Sequence, residues 1–267
     1  MQIPAKQTPR SFGRVNWMGL STLAKRETLR FLVVWTQTLL APLVTAGLFL
    51  LIFTIAIGPG RPDVMGVPFL IFLAPGIMMM TVIQNAFANT SSSMVIAKVQ
   101  GNIVDTLMPP LSPLEILLGY LAGAISRGVM IALIVAVALA VVLGLVPQNP
   151  LFSFVFVILG GAFMGALGLF AGIFANKFDQ MAAITNFIVT PLAFLSGTFY
   201  SVQALPPVLN RISHVNPVFY LIDGLRYGMI GVSDSSPYLG TAICIFATFL
   251  VCGITWQMLR TGYRLKA

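Results

Sequence analysis

Residues 128–176 read GVMIALIVAVALAVVLGLVPQNPLFSFVFVILGGAFMGALGLFAGIFAN and contain no charged side chain. The run is too long for one membrane helix, which needs about 20 apolar residues. Pro147-Gln148-Asn149-Pro150 divides it, because paired prolines around two amides make a turn and stop a helix. Two crossings joined by a short outer turn follow. Charge-free runs over 31–60, 64–97 and 180–210 are each also long enough to cross.

Working outward, charges and helix breakers divide the chain into six spans, at 32–58, 68–97, 113–145, 151–175, 181–200 and 237–259. Of 267 residues, 58% are hydrophobic and 8% charged, against about 25% charged in an ordinary soluble domain. That composition excludes a soluble core protein, a disulfide scaffold and a disordered tail. Cys244 and Cys252 lie eight apart in one apolar run, about 12 Å along a shared helix axis, so they cannot bridge each other. The first apolar stretch follows a basic arm and is too long for a signal-peptide core, so it is expected to stay as an anchor.

Basic residues are retained on the cytoplasmic side of bacterial membranes. Lys6, Arg10, Arg14, Lys25, Arg26, Arg30, Lys98, Lys177, Arg260, Arg264 and Lys266 fall on one face, Arg61, Arg211 and Arg226 on the other, and Arg127 lies within the third span. Six spans with this bias are expected to place both termini in the cytoplasm. Topology thus explains the net charge of +8, and no basic patch interleaved with aromatics points to nucleic acid. Residues 14–31 place Trp17, Leu20, Leu23, Ala24 and Phe31 on one side of a helix and Arg14, Lys25 and Arg26 on the other, as in an interfacial amphipathic helix. Thr22, Glu27 and Thr28 blur that pattern, and a generic basic juxtamembrane segment fits it as well.

The chain has no phosphate-cradling Gly-x-x-x-x-Gly-Lys-Ser/Thr sequence, no His/Cys cluster for a metal and no hydrolase triad pattern. His214, the single histidine, is expected to be structural. Asn89-Thr90-Ser91 matches a glycosylation sequon but lies within a span. Intramembrane carboxylates, which ion-coupled carriers usually need, are missing from the middle of every span. Arg127, about 18 Å along the helix from Glu115, must face protein or water, either as a structural group or in a transport path.

In the second span Thr81, Asn85, Asn89 and Ser92 share one helix face, with Gln84 at its edge. Such a face is either interhelical glue or the wall of a path or dimer contact. Gly161, Gly165, Gly168 and Gly172 form a small-residue packing stripe in the fourth span. Pro191, preceded by Asn186 and Thr190, predicts a kink in the fifth. Between spans five and six the chain suits two short outer helices, around 203–212 and 217–231, with Asp223 and Arg226 able to neutralise each other. In the loop 98–115, Lys98 precedes and Asp105 interrupts an apolar set, Ile103, Val104, Leu107 and Met108. That set either docks a partner or folds back on the bundle.

The segment Ser213 to Gly228, with Asn216-Pro217, Tyr220, Asp223-Gly224 and Arg226-Tyr227, resembles the signature between the last two spans of ABC-2 type exporter permeases. Pro191-Leu192, Phe194-Leu195-Ser196-Gly197, Tyr200, Leu205-Pro206, Pro75-Gly76 and Asn85-Ala86-Phe87-Ala88-Asn89 match as well. The branch it is most similar to includes permeases for drug, lipo-oligosaccharide or nodulation-factor export. The resemblance implies an all-α, six-span membrane subunit acting as a homodimer with a separate ATP-binding subunit. ATP and Mg would sit on that partner, and this chain would bind no cofactor. Residues 1–31 would form the arm and connecting helix, 32–259 the membrane domain, 98–115 the coupling loop, 203–231 re-entrant outer helices and 260–267 the tail. Spans two and five would line the path. No fused ATPase or large outer domain is expected. An ion-gradient carrier and a non-transporting assembly factor are the alternatives.

Overall fold

The computed structural model describes residues 15–56 and 62–265. Lys6, Arg10, Arg14, Arg61, Lys266 and the end of the expected first span at 57–58 lie outside them. Six helices are long and apolar enough to cross a membrane: Thr36–Ala56, Phe69–Val99, Pro113–Leu143, Pro150–Phe174, Phe178–Leu195 and Pro237–Thr261. The protein is an all-α membrane protein. Shorter helices complete it: an arm helix Trp17–Val33, a loop helix Ile103–Leu107, and outer helices Pro207–Val215 and Pro217–Ile230.

Most boundaries fall within a few residues of the expected ones, and the larger departures have local causes. The fifth span starts at Phe178 and stops at Leu195 instead of running to 200. Gly197 has φ +76°, and Thr198 Oγ1 donates to the Ala193 carbonyl at 2.8 Å, so the backbone leaves the helix there. The arm helix runs on to Val33, and the first span begins at Thr36 with a π-helical turn, Thr36–Leu40. The fifth span holds a second π turn, Thr185–Val189. Each π turn ends two residues before a proline, Pro42 and Pro191. A proline offers no N–H and its ring crowds the carbonyl one turn back, which widens the helix. The expected distortion at Pro191 is therefore present, and Pro42 produces its twin in the first span.

The second span is the hub, largely enclosed by the third and fourth spans and the second outer helix. Fourth-span glycines make that enclosure possible. A Cβ on Gly161 would meet Ile125, on Gly165 Ala124, on Gly168 the Phe87 carbonyl and Thr90 hydroxyl, and on Gly172 Met94 and the Ser91 carbonyl. The stripe thus packs against the third span at one end and the second at the other. Thr90 Oγ1 donates to the Gly165 carbonyl at 2.7 Å, so the sequon lies in the packed interior. The first and fifth spans are the least covered by the rest of the chain.

Gly168→Leu is expected to force the second and fourth spans apart and cost about 1–3 kcal/mol, as overpacking does, read as a lower thermal midpoint in detergent. Gly47→Ala, at a helical position with nothing within 4 Å of the new carbon, should leave that midpoint unchanged or raise it. Equal effects of the two would contradict this packing.

Candidate functional site: a polar chain from the loop helix to the middle of the third span

The arm helix starts at Asn16, whose side chain accepts the Gly19 N–H at 3.0 Å, a typical N-cap bond. The Asn16 backbone N–H donates to Glu115 Oε1 at 2.6 Å. Glu115 also closes a capping box with Ser112 at the start of the third span, so one carboxylate pins both helix starts.

Leu23, Glu27 and Phe31, spaced at i, i+4 and i+8, are the buried residues of the arm helix, while Trp17 is largely exposed. The inward stripe therefore differs from the expected apolar side, and the fully buried Glu27 lies at its centre. Gly123 of the third span admits it: a Cβ there would lie 2.5 Å from that of Glu27. The carboxylate accepts Ser93 Oγ of the second span at 3.0 Å and Arg26 Nη2 at 3.1 Å, and it pairs with Arg30 Nε at 3.4 Å.

The two arginines extend this centre in opposite directions. Arg26 Nη1 donates to Thr106 Oγ1 of the loop helix at 3.2 Å. Arg30 donates to the Asn89 carbonyl at 2.5 Å, to Asn89 Oδ1 at 3.2 Å and to Ser92 Oγ at 3.3 Å. One turn deeper, Arg127 Nη2 donates to Asn85 Oδ1 at 2.6 Å, and Asn85 Nδ2 donates to the Thr81 carbonyl at 2.9 Å. A string of polar groups thus runs from Thr106 through Arg26, Glu27 and Arg30 to Asn89, with Asn85 and Arg127 beyond.

Thr81, Asn85, Asn89 and Ser92 accordingly contact the arm and third span or their own helix. Gln84, Asn85 and Ser92 remain half-buried, so an edge of this face is open, and Gln84 hydrogen-bonds nothing among the described residues. Asn186 is exposed and Thr190 half-buried in the fifth span; the structure does not bring either into this string. Lys98 is buried, and its Nζ donates to the Ile173 and Ala175 carbonyls, both at 2.7 Å, and to Asn176 Oδ1 at 3.0 Å. It caps the C-terminus of the fourth span, where a cation suits both the free carbonyls and the helix dipole. On the loop helix, Ile103 and Thr106 turn inward, whereas Val104, Asp105, Leu107 and Met108 are exposed.

The opposite end of the bundle has its own ionic centre. Arg226 is fully buried, with Asp223 at 3.7 Å, Asp234 at 3.9 Å, the Gly197 carbonyl accepting at 2.6 Å and the Phe72 ring 4.0 Å away. Asp223 accepts the Asp234 and Ser235 N–H groups at 2.7 and 2.8 Å. Burial pushes the Asp223 carboxyl above its ordinary range, with those bonds and Arg226 pulling it back. Burial likewise lowers Arg226, opposed by its two carboxylates. Asn216 caps the second outer helix through Val218 N–H at 3.0 Å and ties it to Ser196 Oγ at 2.7 Å. Pro217 is its first residue. Tyr220 donates to the His214 carbonyl at 3.0 Å, Gly224 lies against the Phe156 ring, and Tyr227 stacks edge-on with Phe152. His214 Nδ1 lies 2.9 Å from the Asn210 carbonyl.

Reading charge as outward-facing concealed Glu27, Arg26 and Arg30 as a site. The available signal was spacing, since Glu27 falls midway between Leu23 and Phe31. Asp234 was likewise missed as the second partner of Arg226. Among the described residues no group of three or more His, Cys, Asp or Glu could hold a metal.

Glu27→Leu removes the buried carboxylate that holds the exposed Arg26 and the half-buried Arg30 against the second span and is expected to destabilise by about 1–3 kcal/mol, the scale of lost hydrogen bonds to a charged group. Adding Arg30→Leu should cost less than the sum of the single changes, by about 0.5–3 kcal/mol, in a double-mutant cycle of thermal stability. Strict additivity would mean the pair carries no coupling.

Sequence comparison agrees with this architecture. The pattern of the ABC-2 type transporter membrane family matches residues 18–230. The chain is 36% identical over 255 residues to the inner membrane transport permease YadH of Escherichia coli (strain K12), covering 94% of this chain and 98% of that one. It is 26% identical over 206 residues to Nodulation protein J of Sinorhizobium fredii (strain NBRC 101917 / NGR234), covering 75% and 78%. Nodulation protein J of Rhizobium leguminosarum bv. trifolii is 24% identical over 242 residues, covering 88% and 89%. With six spans, the outer-helix signature and these relatives, the chain belongs to the ABC-2 type transporter family as a multi-pass membrane permease.

Proposed function

We propose that this chain is the membrane half of an ATP-driven exporter, working as a homodimer with a separate ATP-binding subunit and carrying an amphipathic substrate outward across the bacterial inner membrane. ATP and Mg belong to that partner. Both termini lie in the cytoplasm, on the face where Lys and Arg accumulate. The observation that carries the reading is the polar string from the loop helix to Asn89, with the separate Asn85–Arg127 pair one turn deeper on the same helix face.

An ATP-binding subunit has to push on something that reaches the membrane interior. The loop helix offers it Val104, Asp105, Leu107 and Met108, all exposed, while Thr106 on the inward side is bonded to Arg26. Displacement of the loop helix would pass through Arg26 and Glu27 to the second span without crossing flexible chain. Lys98 would carry the same displacement to the fourth span.

The homodimer reading rests on exposure. The half-buried Gln84 and the exposed Asn186, whose side chains hydrogen-bond nothing among the described residues, would waste that capacity against lipid. Facing a second copy and a wet path between the copies, they are satisfied. The first and fifth spans, least covered and each carrying a proline-linked π turn, are the elements free to shift against a second copy. Nucleotide binding then biases two arrangements of that interface.

The reading is tested by changing the exposed side of the loop helix. Asp105→Lys with Leu107→Glu should abolish recovery of an ATP-hydrolysing subunit with the tagged permease from host membranes, while membrane insertion and thermal midpoint are retained. Recovery of that subunit at the wild-type ratio would overturn the docking assignment.

A further inference from the structure

Other cations sunk into the chain are matched. Lys98 meets three oxygens, Arg226 meets two carboxylates and a carbonyl, and Arg30 meets Glu27, Asn89 and Ser92. Arg127 is the exception. It lies within a residue of the middle of a 31-residue helix and is nine-tenths buried. Its one hydrogen bond among the described residues goes to a neutral amide oxygen of Asn85, and its buried Nε donates to nothing. Arg30, which acts on it electrostatically, carries the same sign.

The chain cannot supply the missing anion. Its seven carboxylates are all described. Glu27 is committed to Arg26, Arg30 and Ser93. Glu115 caps two helices, and Asp223 and Asp234 face Arg226. Asp63, Asp105 and Asp179 lie at or beyond the span ends. A buried guanidinium without a counter-ion is costly, and an ionisable group at this depth marks a path more often than a packing contact. Through Asn85 it adjoins the open polar stripe of Gln84 and Ser92.

We infer that Arg127, beside Asn85 and Arg30, recognises an anionic headgroup on the transported amphiphile, so that the cargo is an apolar chain bearing a phosphate, sulfate or carboxylate. Guanidinium suits such groups because its N–H fork matches two oxygens at once. Depth favours cargo over resident phospholipid. Arg127 lies about 18 Å along the helix from Glu115 at the cytoplasmic edge, whereas phospholipid headgroups stay at the interface. The inference rests on the exporter reading for its setting, yet binding is measured on the permease alone. Loss of ATP coupling and loss of the site are therefore separate results.

The test uses the full chain in phosphatidylcholine nanodiscs with n-dodecyl phosphate as probe and n-dodecylphosphocholine as its charge-neutral counterpart. Wild type should bind the phosphate at least about tenfold tighter, the scale of one charge-assisted hydrogen bond. Arg127→Gln should lose that preference and Arg127→Lys keep part of it. Asn85→Asp deletes no side chain and places a carboxylate beside Nη2; it should abolish the preference while raising the thermal midpoint. An undiminished preference in Arg127→Gln or Asn85→Asp, or none in wild type, would overturn the site. Competition by phosphatidylglycerol added to the nanodiscs, beyond that seen with Arg127→Gln, would overturn the cargo assignment in favour of a bilayer lipid.

Discussion

The buried carboxylate of Glu27 is the constraint on which the half of this protein that carries the arm and loop helices depends. An ionised group in a low-dielectric interior is tolerated only when paired and hydrogen-bonded. Glu27 obtains both from three directions: Arg26 and Arg30 on its own helix and Ser93 on the second span. The arm cannot rotate or slide without stranding that charge. A helix that composition alone would lay on the membrane surface is thereby locked into the bundle, and Gly123 provides the clearance.

A matching lock operates at the opposite end of the bundle, where Arg226 faces Asp223 and Asp234 and covers Phe72 of the second span. The second span is thus clamped near both membrane faces by ionic centres and along its length by fourth-span glycines. Its middle is different, since Gln84 and Asn85 stay half-open. The least covered spans, the first and fifth, are those with a π turn before a proline. Rigidity and pliability are therefore sorted onto different spans, as the proposed gate between two copies would require.

The spans were legible in the sequence because lipid acts as a uniform solvent: length, charge and paired prolines disclosed all six, with the larger departures at the start of the first and the end of the fifth. Pro191 disclosed the distortion of the fifth span, whereas Pro42 passed unnoticed inside an otherwise continuous apolar run. The Asp223–Arg226 pair was legible from its i, i+3 spacing, but Asp234 joins it only through the fold. Glu27 was hidden for a physical reason. Amphipathic patterns assign charge to the outside, and the buried arm face becomes visible only once Ser93 and Gly123 are known to lie opposite. Likewise, the polar face of the second span could be read as a face but not divided into residues that hold arginines and residues left open.

The most direct measurement of the central claim is transport by the purified permease reconstituted in liposomes with its ATP-binding subunit, following movement of a fluorescent anionic amphiphile. The account predicts movement that requires ATP hydrolysis, requires both subunits and ignores an imposed proton or sodium gradient. Movement by the permease alone, driven by such a gradient without nucleotide, would contradict it.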